Sequence, residues 1–309
     1  MNRSQFVSGV LGGTALGLAR PAGAQSALTV TVGTLPSSAE IWYAIENGFF
    51  AQHHLDVQYQ MQNSGAAGAA AMVGGSIDIS ESDTVTIIKA HDHGLPFVSL
   101  APGLLDSVKA PTVAIVVRDP ALRSGRDFNG KTFSTNSLQN LGTLLADAWI
   151  DNNGGDSKTV KWVELPFPAL SPALQRGTID AYIAPEPFIT TGLRDGGHAV
   201  VMDHNPLAPV VLQGALIATR DWVASHRDAA HAFTAAILDA NAWANKNRDA
   251  AATILAKYSK VPVAAIESAT FRGEFALRMD PATIQPLIDG ALKYGLIGKD
   301  FRATEIIAD

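Results

Sequence analysis

One short phrase of this chain occurs twice. Gly75-Ser76-Ile77-Asp78 leads into Ile79-Ser80-Glu81-Ser82-Asp83, and Gly177-Thr178-Ile179-Asp180 leads into Ala181-Tyr182-Ile183-Ala184-Pro185-Glu186-Pro187. Each copy follows an apolar run with helical character, Ala66 to Val73 and Pro172 to Arg176. Glycine just past a helix end adopts the left-handed conformation at least cost. A hydroxyl residue, Ile and Asp come next, then a short apolar strand, then a polar or proline-bearing loop. Helix, turn, strand and loop make half of an α/β unit. Two copies therefore predict two α/β lobes built on one plan. Ligands of open parallel sheets collect at the carboxyl ends of the strands, so two such ends facing each other predict a cleft.

The 309 residues, 47% of them hydrophobic, suffice for two modest packed domains. Cysteine is absent, which excludes disulfides, thiolate metal sites, thiol nucleophiles and a lipid-anchored cysteine. The net charge is −6 and no basic run occurs, which argues against nucleic acid as a partner. Arg3, the apolar run Phe6 to Ala19 and the small residues Pro21-Ala22-Gly23-Ala24 read as a signal peptide over 1–24, cut ahead of Gln25. Asn2-Arg3-Ser4-Gln5-Phe6 resembles a twin-arginine export signal lacking one arginine, which leaves both export routes open. No later stretch is long and apolar enough to span a membrane. The expected location of the mature chain is the periplasm.

Along the chain, Leu28 to Thr34 alternates as a strand, Pro36-Ser37-Ser38 precede a helix over Ala39 to Asn47, and Leu55 to Tyr59 is a second strand. Thr84 to Ala90 is helical, and His91-Asp92-His93-Gly94 reads as its polar end rather than a metal site. Val113 to Val117 and Leu212 to Thr219 are apolar strands expected to pair with each other. From Asp221 onward the spacing is helical, with Trp222, Phe233, Ile237 and Trp243 on apolar faces, and this tail is expected to pack on one lobe.

The order Gly48-Phe49-Phe50-Ala51, Gly75-Ser76-Ile77-Asp78, Asn129-Gly130-Lys131, Gly177-Thr178-Ile179-Asp180-Ala181 and Pro185-Glu186-Pro187 resembles the periplasmic substrate-binding proteins of the nitrate, sulfonate and taurine ABC importers. Their superfamily includes binders of thiamine-pyrimidine precursors. The resemblance covers nearly the whole mature chain. It implies the α/β periplasmic-binding-protein type II fold: two α/β lobes joined by two crossover strands, near Pro111 to Val117 and Leu212 to Thr219, with the ligand cleft between. Lobe one then holds 27–113 and 217–309, and lobe two 114–216. The implied cleft residues are Pro36, Ser37, Ser38, Trp42, Ser64, Gly65, Ser82, Asp83, Thr84, Ser137, Gln139, Asn140, Glu186 and Gln213. The implied function is capture of a small molecule by lobe closure, as a monomer, for delivery to an ABC permease, with no cofactor and no chemistry.

Helix N-termini with Ser, Asn and Gln beside them bind small anions. Here, however, no Arg or Lys falls in the cleft loops, whereas Asp83 and Glu186 do. Two carboxylates suit a ligand with an amine, an amidine-like ring or hydroxyl donors, or else they cap helices. Trp42 stacks on a ring or packs in the core. Sulfonate-like and nitrogen-heterocyclic ligands both stay open. No Gly-x-Ser-x-Gly, His-Glu-x-x-His, P-loop or Gly-x-Gly-x-x-Gly is present, which argues against an enzyme. The alternatives are a thiamine-pyrimidine-type or quinone-pathway enzyme on the same fold, and a ligand sensor for a membrane receptor.

Overall fold

The computed structural model describes residues 27–35, 37–200, 205–267 and 273–308; the expected signal peptide and Pro36 lie outside them. In chain order the first elements are β1 (Leu28–Thr34), α1 (Ala39–Glu46), α2 (Phe49–Gln52), β2 (Leu55–Met61), α3 (Gly65–Val73), β3 (Ile79–Asp83), α4 (Thr84–Asp92), β4 (Phe97–Pro102) and β5 (Leu104–Ser107). Then follow β6 (Val113–Val117), β7 (Thr132–Thr135), α5 (Leu141–Asn152), β8 (Lys161–Glu164), α6 (Phe167–Gln175), β9 (Ala181–Pro185), α7 (Phe188–Arg194) and β10 (His198–Val200). The chain continues through β11 (Val210–Leu212), β12 (Gly214–Thr219), α8 (Arg220–Ser225), α9 (Arg227–Lys246), α10 (Arg248–Ser259), α11 (Val263–Glu267), β13 (Glu274–Phe275) and α12 (Gln285–Lys293). No helix among the described residues is long and apolar enough to cross a membrane.

The strands form two five-stranded sheets of matching order, β2-β1-β3-β12-β4 and β8-β7-β9-β6-β10. In each, three parallel strands meet one antiparallel strand beside the repeated phrase. The phrase does the same work twice. Gly75 and Gly177 take φ of 72° or less on the positive side, 70° and 72°. Ser76 and Thr178 donate their hydroxyls to the last helical turn, at Ala71 O (3.0 Å) and Ala173 O (2.9 Å). Ile77 and Ile179 are buried. Asp78 accepts from Thr31 N at 2.8 Å, and Asp180 from Thr132 N at 2.9 Å, so each carboxylate ties its turn to the neighbouring parallel strand. Removing such an acceptor strands a part-buried N–H, a cost of about 1–3 kcal/mol. Asp78→Ala and Asp180→Ala are therefore expected to destabilise the protein by similar amounts in urea melts. A loss confined to one of them would show that the two turns are not equivalent.

The expected pairing of Val113 to Val117 with Leu212 to Thr219 does not occur. β6 pairs with β9 and β10, and β12 with β3 and β4. The chain passes between the sheets through a separate ribbon in which β5 runs antiparallel to β11, with β13 on its other side. Apolar, β-branched composition marks a buried strand but does not choose its partner. The expected boundaries at 113/114 and 216/217 accordingly fall inside β6 and β12. The changes of sheet lie before Val113 and before Gly214, on the ribbon. Asp106 braces it, accepting from Thr112 N (2.7 Å), Thr112 Oγ1 (2.9 Å) and Asn205 Nδ2 (2.7 Å). The helical tail lies mostly on the first half, with α12 against α4. α9 packs against the first sheet, but Leu287 and Ile288 of α12 share one apolar cluster with Leu144 and Leu145 of α5.

Candidate functional site

A cavity of about 170 Å³ lies where the ends of the two sheets face each other. Ser37, Glu40 and Tyr43 approach from α1 and the turn before it, Gly65 from the start of α3, and Glu81 and Asp83 from β3. Thr135, Asn136, Asn140, Phe167 and Glu186 approach from the second sheet, and Gln213 from the ribbon. Asn245, Arg248, Leu255 and Phe275 extend the wall along the helical tail.

Strand alternation decides which residues of β3 reach the cavity. Glu81 and Asp83 face it, while Ser80 and Ser82 turn under α3. That helix lies so close that a Cβ on Gly65 or Gly68 would sit 2.4 Å from Ser82 Oγ or 2.0 Å from Ser80 Oγ. Asp83 is engaged on all sides. It accepts from Thr86 N (3.0 Å) and Thr86 Oγ1 (2.6 Å), capping α4, and from Leu141 N (2.9 Å), the first residue of α5 in the other half. The positive ends of two helices therefore already hold an internal anion. Asn140 caps α5 through Thr143 N (3.1 Å) and donates to Asn136 Oδ1 (3.0 Å). Glu186 accepts from Thr190 N and Thr190 Oγ1, both at 3.0 Å, at the start of α7.

The remaining carboxylates differ. Glu40, in the first turn of α1, is only 4% exposed, and no other described residue donates a hydrogen bond to it. Burial foremost, then the charge of Glu81, pushes its carboxyl up to about 8. Glu81 is half-buried and accepts from Ser38 Oγ at 2.6 Å. Burial pushes it up to about 7 against the lowering effect of Ser38, with Asp83 adding to the rise. Both sidechains thus keep protons at pH values where ordinary carboxylates have lost them.

Of the residues expected in the cleft, Ser37, Gly65, Asp83, Asn140, Glu186 and Gln213 line the cavity. The others serve elsewhere. Trp42 is wholly buried, stacked on Tyr258 (centroids 4.1 Å apart, planes 6° apart) and edge-on to Tyr59, so it is core rather than a ligand platform. Ser38 holds Glu81 and accepts from Leu35 N. Ser64 caps α3 through Ala67 N, and Thr84 Oγ1 donates to Leu212 O at 2.6 Å. Ser82 is buried beneath Gly65, and Ser137 lies off the lining. Gln139, at φ 55°, is exposed and accepts from Lys89 Nζ through its carbonyl (3.1 Å) and its Oε1 (3.2 Å). With Asp83–Leu141 and a 3.4 Å bond from Asn136 Nδ2 to Asn63 O, this contact joins the two halves directly.

Glu40, Glu81, Tyr43, Phe167, Phe275 and Arg248 were not expected here. Alternation from Asp83 points to Glu81. Glu40 reads in the sequence as an ordinary first-turn acid, and Phe275 and Arg248 lie in the tail, whose wall position depends on tertiary packing. Among the described residues no cluster of His, Asp and Glu fits a metal.

A family model described as NMT1/THI5 like matches residues 35–251. The bicarbonate-binding protein CmpA of Synechococcus elongatus is 24% identical over 306 residues, covering 88% of this chain and 63% of that protein. The chain thus spans less than two thirds of the length of the curated relatives it matches. Among solved structures, the alkanesulfonate-binding protein SsuA of Xanthomonas axonopodis pv. citri superposes with a TM-score of 0.77 at 16% identity, covering 92% of this chain and 99% of that one. The periplasmic nitrate-binding protein NrtA of Synechocystis PCC 6803 gives 0.75 at 17% identity, covering 89% and 83%. The fold is that of the periplasmic binding proteins, and these relatives are named as binding proteins rather than enzymes.

Proposed function

The chain belongs to the NMT1/THI5-like family, and from that premise we propose that it is the extracytoplasmic solute-binding component of an ABC importer. It captures a small polar organic molecule between two lobes, one built on each five-stranded sheet, as a monomer in the periplasm, and delivers it to a membrane permease. The observation that carries this reading is the cavity walled by the facing ends of two matching sheets. Such a cavity excludes water from both sides of a ligand when the halves close.

Of the ligand classes left open by the sequence, the cavity favours a nitrogen heterocycle over a sulfonate. The N-termini of α4 and α5, which could serve an oxyanion, are filled by Asp83, and Glu40 and Glu81 add two further carboxyl groups to the lining. Tyr43, Phe167 and Phe275 give the lining an aromatic share, although Phe167 also stacks on Phe188 and Tyr43 packs on Trp243 and Phe275. A thermal-shift screen of nitrogen heterocycles, amino acids, sulfonates, nitrate and bicarbonate tests the reading. Binding to the folded state raises the melting temperature by mass action, about 2.7 kcal/mol at a hundredfold excess over Kd. Closure should also shrink the radius of gyration in solution scattering. No shift with any class would remove the binding-protein reading, and a shift with sulfonates alone would reverse the ligand preference.

A further inference from the structure

We propose that the cavity takes its ligand as an organic monocation, with the nitrogen-bearing end between Glu40 and Glu81 and a ring against Tyr43 and Phe275. The proposal rests on the reading of the chain as a solute-binding protein and narrows its ligand.

Four carboxylates line the cavity, and they divide into two kinds. Asp83 and Glu186 are committed to backbone N–H groups at helix starts. Glu40 has only its own backbone N–H, and Glu81 has none. Glu40 is 4% exposed, faces the cavity and receives no hydrogen bond from another described residue. Glu81 has Oε2 fixed by Ser38, while no described residue bonds to its Oε1. Ser38 is itself fixed by Leu35 N at 2.6 Å, so the Glu81 acceptor is aimed before any ligand arrives. A buried carboxylate without a partner is costly when charged. Here the cost is met by holding protons, since burial raises both groups.

The groups facing this pair from the packed elements are Tyr43 of α1, Asp83 of β3 and Glu186 after β9, with Arg248 at the exposed start of α10. Among the described residues of the lining, Arg248 is the one Arg or Lys side chain, and it lies at the solvent end. An uncharged ligand can be met by the protonated carboxyls as they stand, whereas only a cation compensates them once they are charged. A protonated amine or amidine gives each open oxygen an N–H donor and makes the charged carboxylate favourable. Cation entry then displaces a proton from the Glu40–Glu81 pair to solvent, and charge balances: one proton leaves as one positive charge enters.

The test uses matched ring compounds, with phenyl, pyridyl and pyrimidinyl rings each bearing an amidinium, an amide or a carboxylate. Thermal shift on the mature chain ranks them, and calorimetry at pH 7 in two buffers of different ionisation enthalpy counts protons. The expected result is stabilisation by amidinium members, proton release on binding, and at least a tenfold loss of affinity in Glu40→Gln and in Glu81→Gln. Glu81 is half-buried, so its variant keeps the test open should Glu40→Gln fold poorly. Stabilisation by amide or carboxylate members with native affinity in both variants would overturn the cation and leave the binding-protein reading standing. No stabilisation by these compounds or by the wider screen would remove that reading as well.

Discussion

Glu40→Gln is expected to make the unliganded protein more stable at pH 8, by on the order of 4 kcal/mol, with the gain shrinking to under about 1 kcal/mol at pH 5 and vanishing below the unfolded value. The sign follows from the direction of the shift. Glu40 keeps its proton in the folded state up to about pH 8, whereas the unfolded chain releases it near 4.5. Between those values the unfolded state binds fewer protons, so folding stability falls as pH rises. Below the unfolded value the contribution is complete. Glu81 adds a fall of the same sign that ends near pH 7. An amide at position 40 neither titrates nor raises Glu81, so the variant's stability should change less across the window. Urea melts of both proteins at pH 5, 6, 7 and 8 measure this directly. Parallel curves would mean that Glu40 is solvated in solution and does not carry the buried proton. A gain in stability joined to a loss of cation affinity is what a binding site predicts, because a group held ready for a ligand is poorly matched without it.

The sequence carried the architecture further than the site, for a physical reason. A left-handed glycine, a hydroxyl returning to the helix end, a buried Ile and an Asp gripping the next strand are local requirements, so the phrase that contains them reveals both α/β halves. Asn140 and Asp83 were legible for the same reason, since a capping residue is recognised by its place before a helix. Burial of a polar group, by contrast, is decided by what packs over it. Nothing near Glu40 in the chain shows that β3, Gly103 and the tail will enclose it. Trp42 failed in the opposite sense: its stacking partner, Tyr258, comes from the helical tail and fills the face that a ligand would have used. Gln139 has the polarity of a ligand contact, but Lys89 of the facing half reaches it instead. The pairing of β5 with β11, in place of the expected β6 with β12, likewise follows from chain topology rather than composition.

Asp83→Ala should cost about 2–4 kcal/mol, combining a lost cap on α4 with a stranded N–H at the start of α5. Its effect extends beyond stability, because the two helices belong to different halves. With Thr86 N and Leu141 N on one oxygen, the carboxylate ties β3 to the second sheet's first helix without any ligand. Removing it leaves Lys89–Gln139 and Asn136–Asn63 as the remaining polar links named above between the halves, one exposed and one 3.4 Å long. Exposed links of that kind contribute about 0.2–1 kcal/mol. The unliganded variant is therefore expected to populate more open states, with a larger radius of gyration, and to bind more weakly in proportion to the lost closed fraction. Asp83→Asn retains an oxygen acceptor for both N–H groups, so its cost should stay within about 1 kcal/mol and its radius should match the native protein. Lys89→Met, which breaks only the exposed link, should lie closer to native than Asp83→Ala in both measurements. If Asp83→Ala melted and scattered like the native protein, the carboxylate would not be the tie between the halves, and closure would depend on the apolar cluster shared by α5 and α12 instead.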